Sequence, residues 1–383
     1  MTFSELNLCQ DLVNALKDQN IHEPTAIQEI AIPKLAAGEN AYVSSHTGSG
    51  KTLAYLLPIL NTIEVDTLDL QCLIIVPTHE LAVQIGEQIK ALSVGKREQL
   101  RHQLLMGEAA IKRQKERLKK KPHIVIGTPG RLLELSGTRK LKLHKLKQVV
   151  IDEADKLLYD KFLETTQKLC AHTPKIKQSI FVSATSPNKS LAEVSSFCDE
   201  FSRIESGANE INPQITHIYI QASKLEKPEK LRQFLQIVKG ERSLIFFHRN
   251  GVAKQLAEKL IHHGLKVAEI HGDIDKMERK KNLEHFKKGK IDALISSDIA
   301  ARGLHVDNIE NIINYDMPAQ SNQYLHRAGR TGRGKSEGHC ISFISRHELD
   351  LLEKHEDVLN IKIQEASMKD GEIYALKENK SDD

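Results

Sequence analysis

The chain has 383 residues, 40% of them hydrophobic and 28% charged, with a formal net charge of +4. That length exceeds one ordinary domain and the apolar share suffices for sizeable cores, which excludes a disordered or fibrous chain. The small positive balance permits a nucleic-acid partner without demanding one, and five scattered cysteines without a Cys-x-x-Cys exclude a disulfide framework and read as reduced, intracellular thiols.

At the start, MTFSELNLCQDLVNALKDQ carries acids where a secretion signal needs a basic end and an unbroken apolar run. No apolar stretch reaches membrane-spanning length, so a soluble, cytoplasmic protein is expected. Short Val- and Ile-rich runs then recur in chain order: NAYVSS, CLIIVPT, HIVIGTP, QVVIDEAD, SIFVSAT, SLIFFHR, KVAEIHGD, DALISSD, NIINYD and HCISFIS. Each leads through polar or Gly-containing residues into a helical pattern. Unbroken apolar strands alternating with helices predict parallel sheets covered on both faces. Ligands of such sheets gather at the carboxyl ends of the strands. The alternation breaks once, at SGANEINPQI from Ser206 to Ile215. It reads as a linker, 207–213, between α/β domains at 1–206 and 214–363, with a charged tail at 364–383.

Within the first domain, SHTGSGKT (Ser45 to Thr52) follows a predicted strand and precedes the helical LAYLLPIL. A Gly-rich strand-to-helix turn aims backbone N–H groups inward and makes an anion nest at a positive helix end. Thr47, Gly48, Ser49 and Gly50 are the candidates to cradle phosphates. Lys51 would reach the terminal ones, and the Thr52 hydroxyl would hold Mg²⁺. Ser45 stands where this pattern ordinarily begins with Gly. About one hundred residues later, VVIDEADK crowds Asp152, Glu153 and Asp155 behind an apolar strand. Clustered carboxylates repel unless a cation offsets them. Asp152 ends its strand where a P-loop nucleotidase keeps the acid that holds Mg²⁺. Glu153 can then orient and deprotonate the attacking water, and Asp155 suits a basic partner.

DEAD beside TGSGKT resembles the signature of the DEAD-box RNA helicases of superfamily two, and the resemblance runs from Phe3 to about Gly334. It implies two RecA-like α/β domains, each a mostly parallel sheet flanked by helices, with ATP, Mg²⁺ and RNA as ligands. EPTAIQ (Glu23 to Gln28) is similar to the family's adenine-reading Q motif. Gln28 could pair with an adenine edge in both directions, and Phe3 is placed like the upstream aromatic that would stack on the ring. Taken alone, these two residues read as a surface amide and a core anchor. Asn20-Ile21 departs from the usual Gly-Phe. PTHELA and TPGR resemble the RNA-backbone contacts, carried here by Pro77, Thr78, Thr128, Gly130 and Arg131; His79 replaces an Arg. SAT, with Ser183 and Thr185, matches the motif that couples hydrolysis to RNA handling. The run KRQKERLKKK, Lys112 to Lys121, reads equally as an attractor of RNA and as a solvated helix face.

The second half brings YLHRAGRTGRG, similar to the family's HRxGRxGR. Arg330 and Arg333 match its arginine fingers, and such a finger is worth roughly 10³–10⁵ in rate in related nucleotidases. His326 and Arg327 match residues that link this motif back to the DEAD and SAT loops. IFFHRN and HGD match RNA contacts. In SSDIAARGLHV, Ser297, Arg302 and Gly303 match RNA-facing or cleft-bridging positions. His305 replaces the Asp that usually meets the ribose, a role Asp307 could take; Lys276 replaces a Gln and Ser297 a Thr. The resemblance implies an RNA-stimulated ATPase that unwinds or remodels RNA as the two domains close. An ATP-gated RNA clamp with little strand separation and a DNA helicase are the competing readings. Nothing in the sequence points to a protein partner.

Overall fold

All ten Val- and Ile-rich runs become strands, and they fall into two sheets. The computed structural model describes the chain apart from residues 47, 108, 139, 174–177, 185–187, 207–211, 302–305, 307–308, 333–336 and 376–383. The expectations for Thr47, Thr185, Arg302, Gly303 and Arg333, and those for His305 and Asp307, lie outside the described residues.

The first compact unit, Met1–Asn209, holds β1 (Ala41–Ser45), β2 (Cys72–Ile75), β3 (His102–Leu105), β4 (Ile124–Gly127), β5 (Gln148–Asp152), β6 (Gln178–Ser183) and β7 (Ser202–Ser206). They form one parallel sheet in the order β3-β4-β2-β5-β6-β1-β7. β1, β2, β4 and β6 are buried at every position, whereas the edge strands β3 and β7 alternate or lie largely exposed. Successive side chains serve opposite faces. Ile74, Val150 and Ile180 join one apolar core, while Leu73, Ile75, Val149, Ile151 and Phe181 join the other. Burying each such side chain contributes about 1.5–3 kcal/mol, so any one-residue slip of a central strand is costly and register is tightly specified.

The second unit, Glu210–Asp383, contains β8 (Ile215–Gln221), β9 (Ser243–Phe247), β10 (Val267–Ile270), β11 (Ala293–Ser297), β12 (Asn311–Asn314), β13 (Gly338–Ile344), β14 (Gln364–Lys369) and β15 (Glu372–Ala375). Its order is β10-β11-β9-β12-β13-β8-β14-β15. Every pairing is parallel except β14 with β15. This hairpin corrects the expectation of a charged tail from 364. β14 pairs with β8 at Ile218 and Tyr219, and Ala366, Met368 and Ile373 pack against the core, so part of that edge of β8 is covered. Among the described residues, no helix is long and apolar enough to cross a membrane. All five cysteines are free. Burial pushes the Cys170 thiol up to about 12 and that of Cys340 to about 11, which makes both poor nucleophiles.

Candidate nucleotide site and nucleic-acid interface

Apart from EPTAIQ, which opens the helix Ala26–Ala36 ahead of β1, the quoted motifs of the first unit leave their strands at the carboxyl edge, and the strand order sorts them. The phosphate loop follows β1, Ser183 ends β6 and Asp152 ends β5, so the nucleotide residues share the β5-β6-β1 half of the sheet. Pro77-Thr78 follows β2 and Thr128–Arg131 follows β4, on the other half.

The phosphate loop has the geometry of an anion nest. Gly48 and Gly50 both take positive φ, 88° each, and Gly50 caps the helix Lys51–Thr62. A side chain at Gly50 would be strained, and its Cβ would lie 2.4 Å from Gln28 Nε2. Lys51 Nζ donates to the carbonyls of Ser45 (2.6 Å) and His46 (2.7 Å), which holds the loop closed on itself. Ser49 is buried, and its hydroxyl has no partner among the described residues. Thr52 follows in the first helical turn, half-buried. Ser45 uses the hydroxyl that the usual glycine lacks: its Oγ donates to Ser206 O at 2.5 Å, tying the loop to the end of β7.

Gln28 braces this loop. Its Oε1 accepts from Thr25 N (3.0 Å), its Nε2 donates to Gly50 O (3.0 Å), and Thr25 Oγ1 donates to Ser49 O (2.7 Å). The amide is 2% exposed and keeps one N–H and one lone pair for a further partner. Phe3, expected to stack on adenine, is a core anchor in this structure. At 2% exposure, packed within the apolar cluster, its ring has no face to offer.

Asp152 is a strongly perturbed carboxylate. It is 6% exposed, accepting from the Tyr55 hydroxyl at Oδ2 (2.9 Å) and from Glu153 N at Oδ1 (2.8 Å). Burial, then the neighbouring Glu153 charge, pushes its pKa up to about 6; Tyr55, the Glu153 amide and the Lys51 cation pull the other way. Glu153 turns the chain with a left-handed backbone (φ 54°), and its carboxylate is paired with Lys156 at 2.8 Å. Two tyrosines enter that sequence reasoning missed. Tyr55 lies one helical turn after Lys51, so the helix that carries the phosphate-binding lysine also carries the donor to Asp152. Tyr42 on β1 is fully buried, hydrogen-bonds Ser183 and sits beside Asp155, so its phenol, pushed well up by burial, bridges the SAT and DEAD segments. The signal was the i, i+4 spacing for Tyr55; for Tyr42 it was a phenol within a predicted central strand.

On the other half of the sheet, Thr78 Oγ1 accepts from Leu81 N (3.3 Å) and caps the helix His79–Leu92. Pro77 is half-buried beside it. Thr128 precedes the helix Pro129–Gly137, and Gly130 is exposed with open space at its Cα. Arg131 departs from the simple expectation of a phosphate contact. Its two terminal nitrogens donate to Ala109 O (2.9 Å) and Gly107 O (2.8 Å), and Nε lies 2.9 Å from Glu134 as an ion pair without hydrogen-bond geometry. It shapes the loop after β3, which sequence reasoning passed over.

In the second unit Arg327 is engaged with its own unit. Nε and Nη2 grip Asp298 bidentately at 2.7 Å each, and Nη1 donates to Asn314 Oδ1 (2.9 Å) and Asp316 O (2.7 Å). The guanidinium also lies 4.8 Å from the centre of the Phe246 ring. With four of five N–H groups spent and 1% exposure, it is a buried brace of the second unit. It joins the helix Ser321–Ala328 to the helix Asp298–Ala301, whose Ala300 N bonds the Ser297 hydroxyl at 3.3 Å. Arg330 is 8% exposed and engaged within the protein, and His326 is half-buried and likewise engaged. The arginine turn is fixed by Thr331, whose hydroxyl donates to Ile309 O (2.5 Å), and by Asn212, whose amide donates to Gly332 O.

Comparison with known proteins places this geometry. Residues 25–194 match the DEAD/DEAH box helicase family and residues 226–335 the helicase conserved C-terminal domain. The chain is 34% identical to the ATP-dependent RNA helicase CshA of Limosilactobacillus reuteri, over 95% of this chain and 73% of that one. It is 33% identical to the DEAD-box ATP-dependent RNA helicase CshA of Bacillus cereus, over 93% and 67%. Among solved structures, S. cerevisiae Dbp5 bound to RNA and ADP BeF3 superposes with a TM-score of 0.86 at 26% identity, covering 95% of each chain. A DEAD box protein from Methanococcus jannaschii gives a TM-score of 0.58 at 32% identity over 96% and 99%. The chain belongs to the DEAD-box ATP-dependent RNA helicases, two-domain α/β enzymes that hydrolyse ATP.

Proposed function

We propose that this chain hydrolyses ATP on its first unit, with Lys51 on the terminal phosphates and Glu153 orienting and deprotonating the attacking water. RNA held along its backbone by both units drives that reaction and is remodelled by it. The observation that carries the assignment is the nest of Gly48 and Gly50 with Lys51 beside a buried Asp152. The donor set fits a magnesium ion. Asp152 is a buried carboxylate whose charge lacks a full counter-charge, and Thr52 supplies a hydroxyl. Mg²⁺ is commonly held by one or two such groups plus substrate phosphates. When bound, that ion would neutralise charge developing on the phosphates.

Lys51 is held by two loop carbonyls, so phosphate binding exchanges those hydrogen bonds for charge-assisted ones. Glu153 must likewise turn from Lys156 toward the water. The Tyr42–Ser183 bond beside Asp155 offers the route by which phosphate state reaches the rest of the sheet edge. Guanidinium groups from the second unit, Arg330 and Arg333, complete charge stabilisation when RNA brings the units together. Pro77, Thr78, Thr128, Gly130, Ser297, Arg302 and Gly303 form the path for its backbone.

The test is steady-state ATPase with and without single-stranded RNA, with matched DNA, and strand separation of a short duplex in parallel. RNA should stimulate turnover and DNA should not, because only RNA offers 2′-hydroxyls, and Lys51→Ala should abolish turnover. Equal stimulation by DNA would overturn the RNA reading, ATPase without strand separation would favour the clamp, and undiminished turnover in Lys51→Ala would remove the nucleotide assignment.

A further inference from the structure

A cluster of lysines lies away from the phosphate loop. A cavity of about 190 Å³ opens at the amino edge of the first sheet, lined by Lys121, Lys140, Lys142, His144, Lys145 and Asp69. These residues precede β4, β5 and β2, whereas the nucleotide residues follow their strands. Four or five strand residues at about 3.3 Å each put roughly 15 Å of sheet between the two edges. With His neutral, four lysines against one aspartate make this wall +3, where the whole chain carries only +4.

The backbone pins these lysines outward. In KLKLHKLK, residues 140–147, Leu141, Leu143 and Leu146 are buried in the apolar core. Lys140, Lys142, His144 and Lys145, between them, are exposed. Among the described residues, Lys121, Lys140, Lys142 and Lys145 form no ion pair. The cavity adjoins the basic helix Ile111–Leu118, whose Leu118 also lines it. Like charges gathered without partners gain nothing for the fold, and they suit a polyanion.

We propose that this rear cavity is a second RNA-binding surface, which takes phosphates of the substrate outside the segment held at the carboxyl edge. The inference rests on RNA being the substrate. Two features favour RNA over an acidic polypeptide. Once part of an RNA is bound at the front, its flanking part reaches the rear as an intramolecular event at high effective concentration, so a few lysines suffice. The lining also has no Phe, Tyr or Trp ring and no side-chain amide to pair with base edges or a peptide backbone; beside Leu68, Leu70, Leu118, Pro122 and Leu141, its polar groups are the lysines, His144 and Asp69, and the lysines suit phosphates.

The experiment compares wild type with Lys140→Gln/Lys142→Gln/Lys145→Gln and with the matching Lys→Arg triple, on a long structured RNA and on a single strand of about ten nucleotides. On long RNA the Gln triple should lose about tenfold in affinity, and its log–log salt slope should fall by about 2, while the Arg triple should match wild type. Short-strand binding and ATPase stimulation should stay unchanged in both. Long-RNA affinity and slope equal to wild type in the Gln triple would overturn the proposal, and so would equal loss on the short strand. Polyglutamate that binds wild type as tightly as long RNA, through these lysines, would assign the surface to acidic protein instead. A wild-type ATPase that ignores the short strand defeats the RNA substrate itself, a result distinct from failure of the rear surface alone.

Discussion

Asp152 shows how a single side chain is held ready for a cation. Its folded pKa, about 6, lies above the ordinary carboxylate value of 3.8. Between those values the folded protein keeps a proton that the unfolded chain has lost, so stability falls as pH rises from about 4 to 6 and remains lower above. The penalty is up to about 3 kcal/mol. Asp152→Asn should therefore raise the melting temperature of the ligand-free protein at pH 7–8 and leave it unchanged near pH 4, while abolishing ATPase. A variant no more stable than wild type at pH 8 would show that burial of this charge carries no cost. Gln28 and Arg131, both expected to meet a ligand, and Arg327, expected to link loops, share a different lesson: each motif residue spends several hydrogen bonds on its own unit.

Elements differ in how clearly the sequence announces them. The central strands are unbroken apolar runs because both faces are buried. Edge strands β3 and β7, and β8 with its mixed ITHIYIQ, carry half-buried patterns that polar residues dilute. β14 was hidden because QEASMK has too few apolar residues, and β15 because EIYA is only four residues long; pairing with β8 and β15, not composition, makes β14 a strand. Ending the full chain after Ile363 should then expose part of one side of β8. Losing the burial of Ala366, Met368 and Ile373 should cost about 2–4 kcal/mol. Calorimetry should show a lower midpoint for the second unit and concentration-dependent association; a midpoint unchanged would make the hairpin an ornament.

At the scale of the molecule, the enzyme depends on two α/β units that each fold around their own pair of cores. If RNA drives them together over ATP, linkage requires ATP to tighten RNA binding by the factor with which RNA tightens ATP. Arg330→Ala is expected to lower the RNA-stimulated turnover number by about 10³ while leaving ATP affinity without RNA within twofold. Loss of ATP binding in that variant, with the second unit still melting as in wild type, would contradict the division of labour. Thr331 and Asn212 fix this turn from within its own unit, so the substitution leaves the turn's backbone anchors in place.

From its residues alone the chain declared its alternating α/β plan, its phosphate nest, its crowded carboxylates and its family, because short contiguous runs decide turns and the burial of central strands. Partnerships across long separations were settled only by folding. β6 comes to lie between β5 and β1, which lets Tyr42 meet Ser183; Tyr55 reaches Asp152 across 97 residues of chain. Phe3 sinks into the core. The same folding gathers lysines that precede two different strands around one cavity, because a parallel sheet places every strand's beginning on one edge and every strand's end on the other.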